Sequence, residues 1–144
     1  MSPTGTDLRQ PAADLIDAFN HAYWTRLRAI VTADVVYNEI GTGRRIEGVD
    51  AYVEALEAWK QAFPDASGMI LATIASDDTV AQRIRWRGTH TGRLPTPAGT
   101  IEATGKRVSV EASAWHRFEG DAISEIHHYL DVVALLQQIG ALPR

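Results

Sequence analysis

The sequence predicts an α+β domain in which helices come first and a curved antiparallel sheet follows. Three observations carry that expectation. Apolar residues recur at helical spacing as far as Phe63. From Gly68 onward they alternate instead. The alternating stretches are joined by short turns such as "DD" at 77–78 and "EGD" at 119–121. No linker, repeat or low-complexity block interrupts the 144 residues, so they read as one domain, 1–144, with 1–10 as a frayed start.

The elements follow in order. In "AADLIDAFNHAY" (12–23), Leu15, Ile16, Phe19 and Tyr23 share one helical face. "WTRLRAIV" continues as a short second helix carrying Leu27 and Ile30. "DVVYNEI" (34–40) is β-branched and aromatic, a strand stopped by the turn "GTGRR". Asp50 then caps a third helix, where Tyr52, Leu56, Trp59 and Phe63 step by four, three and four before Pro64 ends it. Strands follow at 68–76, 79–94, 107–118 and 122–131, with a Pro/Gly-rich loop at 95–106. The final helix starts near Val132.

Alternation assigns the strand faces. In 107–118 the inner face reads Val108, Val110, Ala112, Ala114, His116 and Phe118. In 80–90 it reads Val80, Gln82, Ile84, Trp86, Gly88 and His90, opposite Arg83, Arg85 and Arg87, a solvated or dimer-facing row. In 124–130 it reads Ser124, Ile126, His128 and Leu130, which turns His127 the other way and keeps the adjacent histidines from acting as a pair. A sheet bent round its helices leaves a cavity on this inner side.

Composition narrows the function. The chain is 45% hydrophobic and 22% charged, with a net charge of −4 and a pI near 5.7. That acidity argues against nucleic acid or anionic membranes as partners. The absence of cysteine removes disulfides, thiolate nucleophiles and zinc–thiolate sites, and suits a cytoplasmic protein. The start "MSPTGTDLRQ" is polar, with no signal peptide, and no apolar run is long enough to span a membrane.

The candidate residues each have two readings. Glu39, beside Tyr37, is a base whose pKa an apolar pocket raises, or a solvated strand end. His128 exchanges protons near neutral pH, or is a core histidine bonded to a backbone carbonyl. His90 and His116 line the pocket or are satisfied in the core. These histidines with Glu39 can in principle hold a metal, but they lie on separate strands without ligand spacing. Asp65 closes the turn after Pro64, or joins His128 and Glu39 as a catalytic group. Asp131 caps the last helix or joins the site. Trp59 and Trp86 sandwich a planar ligand, or simply fill the core.

The order and spacing of "FPD" (63–65), "GTHTG" (88–92), "ATGKRV" (103–108), "FEGDAISE" (118–125) and "D…LLQQIG" (131–140) resemble the SnoaL-like polyketide cyclases of the NTF2-like superfamily. The resemblance covers nearly the whole chain from residue 12. It implies a cone-shaped barrel with a deep apolar pocket, and a homodimer formed through the sheet. It also implies cofactor-free acid–base chemistry on an apolar, polyketide-like or terpenoid small molecule. It puts His128 at the family's acid/base position and aligns Glu39 with the base of ketosteroid isomerases. Asp65 falls where some polyketide-pathway relatives carry an aspartate near the pocket mouth. The second polar position of the cyclases falls at Ala114, and the Arg-x-Asp of epoxide hydrolases is replaced by "RIRWR". The resemblance therefore implies aldol cyclisation or isomerisation, with a ligand-sheltering binder, an epoxide hydrolase or a hydroxylase component as alternatives.

Overall fold

A computed structural model describes residues 7–143. Helix α1 (Arg9–Asn20) buries Ala12, Leu15, Ile16, Ala18 and Phe19 along one stripe. It begins at Arg9, inside the stretch expected to fray; residues 1–6 lie outside the described part. Tyr23 does not join that stripe. The chain turns at Ala22, whose φ of 57° ends the helix, and Tyr23 is 52% exposed.

Helix α2 (Trp24–Ile30) buries Leu27 and leads directly into β1 (Val31–Glu39). A short 3₁₀ turn (Ile40–Thr42) and Gly43 reverse the chain into β2 (Arg44–Glu47), which pairs antiparallel with β1. Helix α3 (Val49–Ala62) is capped by Gly48, whose φ of 93° favours glycine, and not by Asp50 as expected. Asp50 lies in the first turn, where the helix dipole favours an anion, and receives Arg28 Nη1 at 2.6 Å.

The remaining strands are β3 (Ser67–Ser76), β4 (Thr79–Thr89), β5 (Leu94–Thr96), β6 (Gly99–Ile101), β7 (Arg107–Glu119) and β8 (Ala122–Leu130). Helix α4 (Val132–Gln138) closes the described chain. The long strand expected over 79–94 ends at Thr89, and the expected loop contains the small β5–β6 hairpin. The main sheet runs β2-β1-β8-β7-β4-β3. It is mixed, not antiparallel throughout, because β1 and β8 pair in parallel. Short turns predict only the pairing of consecutive strands; β1 and β8 are joined through most of the chain, so no turn announces them.

The inner faces read from alternation hold on β4 and β7. Val80, Gln82, Ile84 and Gly88 are buried, as are Val108, Val110, Ala112, Ala114, His116 and Phe118. On β8 a bulge between Arg117 and Phe118 shifts the register, so Ile123, not Ser124, enters the core. Beyond it Ile126 and His128 face inward, while His127 lies on the other face, 3.8 Å from Glu125. Helices α1 and α3 cover the inner side of the sheet, and their apolar stripes form one core with β1, β4 and β8.

Candidate active site

An apolar cavity opens between α1, α3, α4 and the inner face of the sheet. With its open mouth included, the empty space comes to about 830 Å³. Leu15, Phe19, Leu56, Phe63, Ile84 and Leu135 form much of its wall. Its polar edge comes from Tyr37, Trp59, Trp86, His116 and His128.

Four of these groups converge on Glu39 through a directed chain of hydrogen bonds. The indole N–H of Trp86 points at His128 Nε2 at 3.2 Å. Indole nitrogen only donates, so Nε2 carries the lone pair and the neutral ring holds its proton on Nδ1. Nδ1–H then donates to the Tyr37 hydroxyl at 2.9 Å. Tyr37 in turn donates to Glu39 Oε2 at 3.1 Å. Every proton in the chain points toward the carboxylate.

Glu39 is fully buried but not alone. Trp59 Nε1–H donates to Oε2 at 2.9 Å. On Oε1 it receives Thr42 Oγ1 at 2.7 Å and Arg44 Nη2 and Nε at 2.8 and 3.1 Å. Burial pushes its pKa up, yet Thr42, Trp59 and Arg44 together outweigh that and hold it below the usual carboxylate value. The expectation of a raised-pKa base is therefore corrected: Glu39 is a fixed anion with its lone pairs occupied. Burial, reinforced by the Glu39 charge, pushes the Tyr37 phenol well above its ordinary range, so it stays neutral.

Two imidazoles sit in this apolar setting as free bases. Burial pushes His128 down to about 4, although the Glu39 charge pulls the other way. Burial and the neighbouring His128 push His116 down to about 3. His116 Nε2–H donates to Gln82 Oε1 at 2.9 Å, since a carbonyl oxygen only accepts. Its Nδ1 lone pair has no partner among the described residues.

These depressed values predict the pH dependence of stability. The unfolded chain takes up protons on both histidines near 6.5, while the folded chain refuses them until about 4 and about 3. Their contribution is complete above pH 6.5 and is lost as the pH falls, at up to ~1.4 kcal/mol per pH unit for each ring. Glu39 adds a further loss, beginning near its ordinary 4.5 and completed below its lowered folded value. Urea unfolding at pH 7 and 5 should therefore show a several-kcal/mol drop; equal stability at the two pH values would contradict neutral burial of the rings.

Other expected site residues lie elsewhere. Asp65 is exposed and does not line the cavity. Its oxygens accept Thr89 N–H at 2.7 Å and Thr89 Oγ1–H at 2.8 Å, tying the end of α3 to the end of β4. That corrects its reading as a catalytic group. Asp131 is the cap of α4, accepting Ala134 N–H at 3.0 Å, and it too lies outside the cavity wall. His90 is buried, tilted against the Phe63 ring and fastened to Thr104, with no part in the wall. Trp59 and Trp86 both face the cavity, but each also spends its N–H within the chain that ends at Glu39. Among the described residues no group of three metal-type ligands gathers.

Sequence reasoning missed Thr42 and Arg44, which read only as turn residues. The signal was present: a strand, a tight turn and a second strand place Arg44 directly opposite Glu39. Ala114 packs in one cluster with Ile16 and Ile84, the Trp86 ring lies against it, and Trp86 brings an N–H to His128.

A mixed sheet curled around helices, with a polar chain at the edge of an apolar cavity, defines the NTF2-like, or ketosteroid isomerase-like, class of fold. The model of the SnoaL-like polyketide cyclase family matches residues 11–139, and the chain belongs to that family. Comparison with curated proteins finds no match. Among solved structures, AclR from Streptomyces galilaeus aligns with a TM-score of 0.81 at 24% identity, over 95% of this chain and 83% of that one. IdmH from Streptomyces antibioticus aligns with a TM-score of 0.81 at 23% identity, over 94% and 99%. A SnoaL-like polyketide cyclase from Agrobacterium tumefaciens aligns with a TM-score of 0.77 at 22% identity, over 94% and 99%. At such identities the likeness establishes the fold. Among the described residues no helix is long and apolar enough to cross a membrane.

Proposed function

We propose that this protein is an acid–base enzyme that removes a proton α to the carbonyl of an apolar, polyketide-like or terpenoid compound, with His128 as the base. The observation that carries this reading is the direction of the hydrogen-bond chain. It leaves the His128 lone pair on Nε2, facing the indole N–H of Trp86, the cavity-lining tryptophan that is not bonded to Glu39.

The Trp86–His128 contact, at 3.2 Å, is the longest link in that chain. A substrate carbonyl entering there accepts the Trp86 N–H while its α-carbon approaches Nε2. His128 Nε2 takes the α-proton, and the C–H electron pair forms the enolate, whose oxygen the indole N–H holds. The new imidazolium keeps its Nδ1–H on Tyr37, and the Glu39 anion behind Tyr37 offsets its charge. The enolate carbon then attacks a second carbonyl, with His128 returning its proton to the alkoxide, or is reprotonated at another carbon. The first outcome is aldol cyclisation and the second is isomerisation.

A binder that only shelters an apolar ligand is the second reading. It is favoured by the fact that both His128 nitrogens are already paired within the protein. Proton NMR of an apolar cyclic ketone such as 2-tetralone in D₂O separates the two. The enzymatic reading expects α-deuterium incorporation above the buffer rate. Saturable binding with exchange at or below the buffer rate would leave only the binder.

We also propose that the protein is a homodimer through the outer face of the sheet, where Met69, Trp115 and Tyr129 are about half exposed beside the arginine row. Sedimentation should give twice the chain mass, and Trp115→Glu should halve it; a wild-type monomer would contradict this.

A further inference from the structure

The Trp86 indole is held at both of its edges, and one of those seats is a glycine. We propose that Gly68 is a positioning residue: its missing side chain forms the notch that seats the Trp86 indole and aims the ring N–H at His128. Gly68 lies within β3, directly opposite Trp86 on β4. Its backbone is not in the left-handed region, so conformation gives no reason for glycine there. A glycine inside a strand weakens it and often marks a close approach by another group.

The approach here is unusually tight. A Cβ on Gly68 would lie 2.6 Å from Trp86 Cζ3 and 2.9 Å from both Cε3 and Cη2. Those atoms form the benzo edge of the indole. The N–H projects from the opposite end of the same rigid ring, 3.2 Å from His128 Nε2. Anything that lifts the benzo edge must therefore swing the N–H. Phe19 supports the ring from the helix side, edge-on, with centroids 5.2 Å apart. Ring escape toward α1 is blocked by that contact.

The notch itself is clamped. Asn20, the last residue of α1, donates Nδ2–H to Gly68 O at 3.0 Å and accepts Gly68 N–H at 2.8 Å. Lys60 fixes the same corner by donating to Asn20 O at 3.0 Å. This two-bond clamp holds β3 at one height against α1, so the floor beneath Trp86 cannot drop to make room for a Cβ. Strand β3 thus reaches the site on β8 through one indole laid across the sheet.

The inference rests on the proposed role of His128 only for its catalytic consequence; the geometry can be tested without turnover. The experiment is ¹H–¹⁵N NMR of the tryptophan indole groups in wild type and Gly68→Ala, with Trp86→Leu assigning the signal. The Trp86 N–H resonance should move upfield in Gly68→Ala as its bond to His128 is lost. The His128 titration should move upward, because a donor to its lone pair favours the neutral ring. The Trp59 N–H, bonded to Glu39, should stay in place. Should Gly68→Ala fold poorly, thermal unfolding in the Trp86→Leu background decides the matter. There Gly68→Ala should cost nothing or raise Tm, since the clash is gone. An unmoved Trp86 signal, or an equal Tm loss in both backgrounds, overturns the proposal. Absent α-exchange in wild type alongside a shifted Trp86 signal would refute the chemistry and leave the positioning intact.

Discussion

Replacing His128 with alanine should lower the rate of α-proton exchange by about 10²–10⁴-fold, the usual contribution of a positioned general base. No neighbour can take over. Glu39 is saturated by Thr42, Trp59, Arg44 and Tyr37, and His116 is pushed further down than His128. The loss should fall on kcat more than on substrate affinity, because the cavity wall that binds the apolar body is unchanged. The wild-type profile of kcat/KM should rise through about pH 4, where His128 loses its proton, and stay flat across neutrality. An alkaline limb from Tyr37 is not expected, since burial lifts that phenol well above its ordinary value. His128→Ala should abolish the acidic limb along with the rate. A mutant that retained both would place the base elsewhere.

Replacing Glu39 has the second largest expected effect, and it divides into stability and rate. Glu39→Ala leaves Tyr37 and Trp59 with buried donors and nothing to accept them, at about 1–3 kcal/mol each. Arg44 adds less, because its side chain is 42% exposed and water can take it back. A loss of ~3 kcal/mol or more in urea unfolding is the expected result. Glu39→Gln keeps the shape and one acceptor oxygen, so it should cost less stability. Its amide N–H₂ must then face either Arg44 and Thr42 or Tyr37 and Trp59, which are all donors. Without the anion, the imidazolium formed during catalysis loses its counter-charge. The exchange rate should drop ~10–100-fold, equivalent to one or two pKa units. Full activity in Glu39→Gln would mean that the carboxylate only holds Tyr37, Trp59 and Arg44 in place.

Much of this arrangement was legible in the sequence, and the parts that were not have physical reasons. Period-two alternation placed His116, Gln82, Ile84 and Trp86 on the inner side of β4 and β7, because pleat geometry is local. It failed on Ser124, where one bulge shifts the register. The apolar setting implies desolvation of Glu39, but its outcome depends on which donors fold back onto it. Arg44 comes from the next strand, Thr42 from the turn and Trp59 from α3, and the last of these contacts spans twenty residues. Likewise Asp65 and Asp131 both carry acidic side chains beside helix ends. The cap at Asp131, bonded to Ala134 N–H, is readable from the apolar helical run that follows it, whereas only the fold shows that Thr89 takes up Asp65 outside the cavity. The Trp86–His128 bond crosses two strand intervals, from β4 past β7 to β8, a distance that no periodicity encodes.

The most direct measurement is the protonation state of His128 at neutral pH, read from ¹⁵N chemical shifts of the imidazole in the uniformly labelled protein. A neutral ring with its proton on Nδ1 and an unprotonated Nε2, persisting to about pH 4, is the predicted result. A ring protonated on Nε2, or an imidazolium at pH 7, would remove the lone pair from the cavity and contradict the account.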